Sequence, residues 1–176
     1  MTLLSLLTAP ETYRKLQAEI DAAYPEKASG DTENAEVISY SDAKTLPYLQ
    51  AALREGMRLW PPPAGLFSKE VPKAGDTVHG YYLPPGTEIG QSMYGIGRLP
   101  SLWGSDAEIF RPERWLEASP EKLQEMQTAS DLVFSAGKYL CLGKPVAIME
   151  MSKLFVEVSS DLWFECYGTK AGTTVC

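Results

Sequence analysis

The stretch "FSAGKYLCLGK", residues 134–144, places a single cysteine between two glycines and directly before a helical pattern. From Gly143 onward, apolar residues recur at helical spacing and predict a final helix with one buried face. These residues are Ala147, Met151, Leu154, Phe155 and Val158. Cys141 is therefore expected just before a helix N-terminus, where unpaired amides and the helix dipole favour a thiolate over a thiol.

A thiolate held in this way fits three chemical roles, as a nucleophile, a zinc ligand or an axial ligand to haem iron. A nucleophile needs a base, and the only histidine, His79, falls in a hairpin pattern with nothing to tie it to Cys141. Zinc needs three or four ligands, and the sequence has no suitable cluster. Haem needs only one strong axial donor, and Gly137 and Gly143 would let the backbone approach a flat ligand closely. A plain buried thiol is the remaining alternative.

The composition is that of one globular unit with its own core. The chain has 176 residues, 44% of them hydrophobic, and its formal net charge of −7 disfavours nucleic acid and anionic lipid surfaces as partners. Cys141, Cys166 and Cys176 are widely and irregularly spaced, which argues against a disulfide framework and favours a reducing compartment. The opening "MTLLSLLTAP" lacks the features of a signal peptide and is too short for a membrane anchor.

Helices are predicted towards both ends of the chain, with short strands between them. One helix is expected from Pro10 to about Tyr24, and a polar loop follows it. A second opens at Pro47 and ends at the prolines 61–63, with a predicted buried stripe of Leu49, Leu53, Met57 and Trp60. Between residues 65 and 92, three β-type runs separated by turn residues predict a small antiparallel sheet, in which His79 caps a turn. Residues 98 to about 130 are predicted to be irregular.

The segment "FSAGKYLCLGKPVAIMEMSKLFVE" resembles the cysteine loop and following helix of the cytochrome P-450 family. The family pattern Phe-x-x-Gly-x-Arg-x-Cys-x-Gly is matched at Phe134, Gly137, Cys141 and Gly143. Two further family signatures stand in the expected order, the Glu-x-x-Arg pair in "REGMR" and the Pro-Glu-Arg-aromatic turn in "FRPERW". The resemblance covers about residues 3–158 and implies the C-terminal, proximal part of that fold, mainly α with a small sheet. Residues 1–176 would form a single partial domain with a divergent tail from 159.

Three charged residues in these signatures are expected to form a structural network. Glu55 and Arg58 are three residues apart on a helix and share a face, and Arg114 could complete a charge-assisted set. Taken alone, the pair would more simply be an exposed contact worth ~0.3 kcal/mol. Together with the other motifs, it predicts a network that pins the irregular segment to the helix and takes no direct part in chemistry.

For the cysteine loop, the resemblance implies haem with an axial thiolate from Cys141. Phe134 would pack in the core and shield the sulfur. Lys69 falls where the family has a basic residue that pairs with a haem propionate, although a solvated strand charge is an equal alternative. Tyr139 stands where the family usually carries Arg or His, so weaker haem anchoring is expected.

The function implied by the resemblance is that of a haem-thiolate monooxygenase, which inserts one atom of O2 into a small organic substrate. Electrons would come from NADPH through a partner reductase. The family's distal acid-Thr segment is missing from this sequence, so the isolated chain is expected to be inactive. The alternative is a truncated, non-catalytic product that binds haem weakly or not at all. The resemblance leaves the compartment unknown: many family members are bound to the endoplasmic reticulum, whereas an anchor is not expected in this sequence, and a cytoplasmic location is the alternative.

Overall fold

The computed structural model describes residues 1–25, 37–63 and 65–161 of the chain. Its helices are α1 (Thr2–Leu7), α2 (Pro10–Ala23), α3 (Tyr40–Ala43), α4 (Pro47–Leu59), α5 (Met93–Ile96), α6 (Pro100–Trp103), α7 (Arg114–Glu117), α8 (Pro120–Asp131) and α9 (Lys144–Asp161). Two 3-10 turns, Leu132–Phe134 and Gly137–Tyr139, lie between α8 and α9. The predicted loop after α2 lies mostly outside the described residues, as do Cys166, Cys176 and most of the divergent tail.

The strands form two separate two-stranded antiparallel sheets, whereas the sequence predicted one small sheet. β1 (Leu66–Glu70) pairs with β4 (Glu88–Ser92), and β2 (Asp76–Val78) pairs with β3 (Tyr81–Leu83). The β2–β3 hairpin turns at His79 and Gly80, which have φ of 49° and 84°. Positive φ at both central residues is what a type I′ turn requires, so His79 forms part of the turn itself.

A first core cluster joins the N-terminal helices to α4 and α9. Its most deeply buried members include Leu6 of α1, Leu16 and Ile20 of α2, Leu49 of α4 and Val156 of α9. Leucine and isoleucine recur at i and i+4 on α2, so that one stripe faces the core while Glu11 and Arg14 remain in solvent.

A second, smaller cluster lies on another face of α4. It consists of Ala51, Trp103, Ala107, Trp115 and Met126. The rings of Trp103 and Trp115 lie 5.4 Å apart at a tilt of 54°, an arrangement favourable for aromatic pairs. Because α4 contributes to both clusters, it is the central helix of the described structure.

The central helix follows the predicted stripe except at its end. Leu49, Leu53 and Met57 are buried, but Trp60 is 42% exposed. The helix ends at Leu59, so helical spacing no longer places the next side chain. The indole of Trp60 instead lies 5.5 Å from the guanidinium of Arg98 and donates a hydrogen bond to Ser5.

The segment predicted to be irregular contains a regular helix. α8 begins after Ser119, whose hydroxyl accepts a hydrogen bond from the backbone N–H of Lys122, and Pro120 occupies its first turn. The prediction for residues 98 to 130 was therefore wrong over its last third. The part before α8 consists of turns and helices of one turn.

The buried face of the last helix overlaps the predicted face but is rotated away from Leu154. Val156 and Ser152 are the most deeply buried residues on α9, while Leu154 is 57% exposed. Met151 and Phe155 pack against the first core cluster, as predicted. Along the residues that the structure describes, no helix is both long and apolar enough to cross a bilayer.

Candidate functional site

The carboxylate of Glu55 lies at the centre of a fully buried set of charged side chains. Glu55 has no exposed surface, and Arg58 is nearly as deeply buried one turn later on α4. The two form a bidentate pair, with Arg58 Nε 2.9 Å from Oε2 and Arg58 Nη2 2.7 Å from Oε1. Bidentate geometry gives a guanidinium–carboxylate pair both strength and a fixed orientation.

Arg114 joins this pair from α7. Its Nε donates to Oε1 of Glu55 at 2.9 Å, and its Nη1 donates to the carboxylate of Asp106 at 3.1 Å. The structure therefore brings together Glu55, Arg58 and Arg114, the three residues singled out in the sequence.

Two further donors to the same carboxylate were not found from the sequence. The indole Nε1 of Trp115 donates to Oε2 of Glu55, and the backbone N–H of Arg111 donates to Oε1, each at 2.9 Å. The quoted signature "FRPERW" contains both residues, so the motif carried the signal although only its arginine was assigned a role. Glu55 thus accepts five hydrogen bonds, which satisfies a charge that burial would otherwise penalise.

The remaining guanidinium donors hold the irregular segment through its backbone carbonyls. Arg58 donates to the carbonyls of Gly97, Ala107 and Ile109, and Arg114 donates to those of Trp103, Asp106 and Ile109. These carbonyls belong to a stretch with few backbone hydrogen bonds of a regular helix or sheet. A buried carbonyl without such a bond needs another donor. The two arginines therefore supply the hydrogen bonds that regular secondary structure would otherwise supply to these carbonyls.

A second link connects α4 to the helix that follows the cysteine loop. Asp131, at the end of α8, lies 3.6 Å from Arg54 of α4 and 2.8 Å from the ammonium of Lys144. Arg54 also lies 5.8 Å from the ring of Trp115. Asp131 thereby couples the buried network to the first residue of α9.

The cysteine loop is shaped by two positive backbone angles and one closing hydrogen bond. Ser135 has a φ of 64° and Gly137 a φ of 59°. The N–H of Cys141 donates to the carbonyl of Phe134 at 2.8 Å, which closes the loop, and the N–H of Lys144 donates to the carbonyl of Cys141 at 3.3 Å. The glycine at 137 adopts without strain a conformation that other residues rarely take.

The side chain of Cys141 is exposed at the surface of this loop. Its apolar neighbours Leu140 and Val146 are exposed as well, and Leu142 is 96% exposed. A side chain at Gly137 would meet no other atom within 4 Å, so the loop surface there is open. Phe134 is half-buried behind the loop, with its ring 5.6 Å from the ammonium of Lys144.

These features fit a flat, largely apolar ligand that takes one sulfur donor from the protein. Residues 134–144 contain one cysteine and no histidine or methionine, and apolar side chains flank the cysteine. Within the described part of the chain, no group of three or more His, Cys, Asp or Glu side chains is placed to hold a metal ion. The arrangement therefore suits haem better than a zinc site.

Lys69 reaches the cysteine loop from β1. Its ammonium lies 3.1 Å from the hydroxyl of Ser135 and 4.2 Å from the centre of the Tyr139 ring. The structure thus places Lys69 beside the loop that carries Cys141, Phe134, Gly137 and Gly143. It does not bring His79, which lies in the β2–β3 turn, into any described contact with Cys141.

The comparisons with known proteins agree with these motifs. The profile of the family described as cytochrome P-450 matches residues 1–168. The chain belongs to the cytochrome P-450 family. It is 42% identical over 169 residues to the cytochrome P-450 monooxygenase ABA1 of Pyricularia oryzae, covering 96% of this chain and 32% of the relative.

Other relatives carry the same family description. A cytochrome P-450 monooxygenase named aba1 from Botryotinia fuckeliana is 42% identical over 158 residues, which is 89% of this chain and 30% of that protein. The monooxygenase esdpH of Penicillium shearii is 47% identical over 118 residues, 67% of this chain and 23% of that protein. The chain therefore spans about a third or less of the length of these cytochrome P-450 relatives. Membership of the family implies haem with a thiolate ligand.

Proposed function

We propose that this chain supplies the thiolate-bearing, proximal part of a haem-thiolate monooxygenase, with Cys141 as the axial ligand of the iron. The observation that carries the proposal is the exposed Cys141 side chain on a glycine-containing loop directly before α9. Phe134, Gly137 and Gly143, which match the family pattern, surround this cysteine in the same loop. The similarity to proteins named as monooxygenases supports the reaction class.

The haem, when bound, supplies the redox chemistry that reduces O2 and places one oxygen atom in an organic substrate, the other leaving as water. Two electrons per turnover would come from NADPH through a reductase. Cys141 would hold the haem through its thiolate, and a thiolate ligand would supply the electron density that favours O–O cleavage. By its resemblance to the family pattern, Phe134 would shield the sulfur and limit the access of water to it.

Lys69 would pair with a carboxylate of the haem edge. Its ammonium already lies beside Ser135 of the cysteine loop, and within the described residues it has no acidic side chain within 4 Å of its nitrogen. An ammonium in this position can donate to a ligand carboxylate without first breaking an internal ion pair.

The buried network would act on the haem site only through structure. Glu55, Arg58 and Arg114 have no exposed polar atoms to offer a substrate. They fix the segment from Gly97 to Ile109 on α4, and Asp131 and Lys144 connect that helix to α9. Their role is therefore to stabilise the packing of the elements that support the cysteine loop.

The test is the absorption spectrum of the haem-loaded protein after reduction and exposure to carbon monoxide. We expect the red-shifted Soret band of thiolate ligation, and we expect Cys141→Ala to abolish it. His79→Ala is the matched control, because His79 is the only histidine in the chain, and it should leave the band unchanged. An unshifted band in the parent, or a shifted band that survives in Cys141→Ala, would reject the proposal.

A further inference from the structure

Position 139 is where this chain departs from the family pattern in the cysteine loop. The pattern places Arg there, and this sequence has Tyr139, which carries no positive charge. Nevertheless the structure brings a positive charge to that position. The ammonium of Lys69, a residue far from Tyr139 in the sequence, lies 4.2 Å from the centre of the Tyr139 ring.

The ammonium of Lys69 is held from two sides. The Tyr139 ring offers the face of its π system, and the hydroxyl of Ser135 lies 3.1 Å from Nζ. Ser135 is itself buried and has a φ of 64°, so its hydroxyl is fixed by the turn of the loop. A lysine ammonium has three N–H donors, and these contacts leave donors for a ligand.

We propose that Tyr139 is a positioning residue that holds the Lys69 ammonium beside the cysteine loop. Lys69 thereby keeps a cation beside position 139, where the family pattern has a second basic residue and this chain has none. The proposal rests on the proposed function, because the anion that Lys69 would bind is a carboxylate of the haem edge. It adds a role for Tyr139 that the motif does not predict.

The physical reason is the flexibility of lysine. A four-carbon stem carries much rotamer freedom, and fixing it costs free energy when a ligand binds. A cation–π contact and a hydrogen bond order the ammonium before the ligand arrives. Ligand binding then loses less side-chain conformational entropy. Arginine at position 139 would need no such support, because its guanidinium is in the loop itself.

Lys138 provides a matched comparison within the same loop. Its ammonium lies 5.6 Å from the centre of the same ring, farther than that of Lys69. Among the described residues it has no hydroxyl partner comparable to Ser135. Lys138 is therefore expected to contribute little to ligand retention.

The experiment measures the rate at which haem leaves the loaded protein for an excess of apomyoglobin, which requires no catalytic activity. Tyr139→Phe keeps the ring and should match the parent within about twofold, whereas Tyr139→Leu should lose haem about three to ten times faster. Lys69→Ala should be at least as fast as Tyr139→Leu, and Lys138→Ala should match the parent. Tyr139 is 59% exposed, so these variants should fold.

Two combined variants test whether Tyr139 acts through Lys69. Adding Tyr139→Leu to Lys69→Ala should cause no further increase, because the residue that Tyr139 positions is already gone. Adding Tyr139→Arg to Lys69→Ala should restore haem retention by returning the cation to the loop. The role of Tyr139 would be overturned if Tyr139→Leu increased the rate of haem loss further in the Lys69→Ala background. It would also be overturned if Tyr139→Arg failed to slow haem loss in that background.

The outcome for the parent separates this inference from the function on which it rests. A parent without the thiolate-type Soret band overturns both. A parent with that band, in which Tyr139→Leu releases haem as slowly as Tyr139→Phe, overturns only the positioning role of Tyr139.

Discussion

The indole nitrogen of Trp115 lies 2.9 Å from Oε2 of Glu55, a carboxylate oxygen with no access to solvent. The ring of Trp115 buries apolar area, and its single N–H also stabilises a buried charge by donating a hydrogen bond to it. A hydrogen bond to a charged group contributes more than one to a neutral group. Trp115 therefore connects the aromatic cluster to the ionic network.

Replacing this indole should cost more than replacing its neighbour. Trp115→Phe removes a donor to a carboxylate, whereas Trp103→Phe removes a donor to the backbone carbonyl of Ile96. Both rings are buried and both variants remove similar volume, so we expect the first to lower the free energy of unfolding by about 1 kcal/mol more than the second. Urea denaturation measures both. Equal losses would contradict a special role for the bond to Glu55.

Removing the carboxylate itself should be more severe. Glu55→Ala leaves Arg58 buried without a counter-charge and leaves Arg114 with only Asp106, and breaking a buried ion pair in this way typically costs ~3 to 5 kcal/mol. We expect loss of folded protein, measured by circular dichroism and soluble yield. Glu11→Ala is the control, because Glu11 pairs with Arg14 at the same helical spacing in solvent, and it should have little effect. A mild loss for Glu55→Ala would contradict the network.

Asp106 should make stability depend on pH in acid. The hydrogen bond from Arg114 is the main cause that holds the pKa of Asp106 below its ordinary value of 3.8, and Arg111 adds to the effect. A lowered folded-state pKa means that the charged form stabilises the fold above the unfolded value and that this stability is lost as the pH falls through the folded value. The difference in unfolding free energy between the parent and Asp106→Asn should therefore be constant down to about pH 5 and shrink below about pH 4. A difference that grows on acidification would contradict this assignment.

The start of α4 depends on a carboxylate from another helix. Glu19 of α2 accepts hydrogen bonds from the backbone N–H groups of Tyr48 and Leu49, each at 2.8 Å. Leu46, at the N-cap position, offers no side-chain acceptor. Glu19→Ala should therefore cost about 1 to 2 kcal/mol, and Glu19→Gln less because its amide oxygen still accepts a bond. Thermal denaturation can rank the two, and equal costs would argue against capping.

The chain of residues 1–176 by itself should not couple electron supply to product formation. The loop around Cys141 is open, with Leu142 almost fully exposed, and controlled oxygen chemistry needs a site that excludes bulk water. Supplied with haem, a reductase and NADPH, the chain should consume NADPH and release hydrogen peroxide without oxidised substrate. Coupled product formation that Cys141→Ala abolishes would refute this expectation.

The sequence predicted those elements whose boundaries depend on local chemistry. Pro10 and Pro47 each open a helix because the missing N–H costs nothing in a first turn. Ser119 and Pro120 carry the same signal for α8, but apolar residues on that helix are sparse, and the segment was predicted to be irregular. Weak periodicity, rather than a missing start signal, caused this error.

Burial was predicted wrongly where helical spacing no longer determined which side chain faces the core. Trp60 follows the last helical residue, so the spacing from Met57 no longer applied to it. Apolar residues lie on several sides of α9, and spacing alone could not choose between the face of Val156 and that of Leu154. In both cases the packing of other elements decided which side chain was buried.

The candidate site was predictable as a set of motifs but not as an arrangement in space. Glu55 and Arg58 share a helix face by spacing alone. The approach of Lys69 to Tyr139, and the link from Asp131 to both Arg54 and Lys144, join residues on different elements. No local pattern encodes such contacts, because they depend on how the elements pack.

The five-donor arrangement around Glu55 also imposes an order on events during synthesis. Arg58 emerges from the ribosome almost together with Glu55, but Arg114 and Trp115 follow 59 and 60 residues later. At ordinary translation rates this delay is about 3 to 12 s. During that interval Glu55 lacks the donors of Arg114 and Trp115, so burying its carboxylate would cost free energy. The face of α4 that later packs in the second cluster should therefore stay hydrated until the Pro-Glu-Arg-Trp turn has left the ribosome.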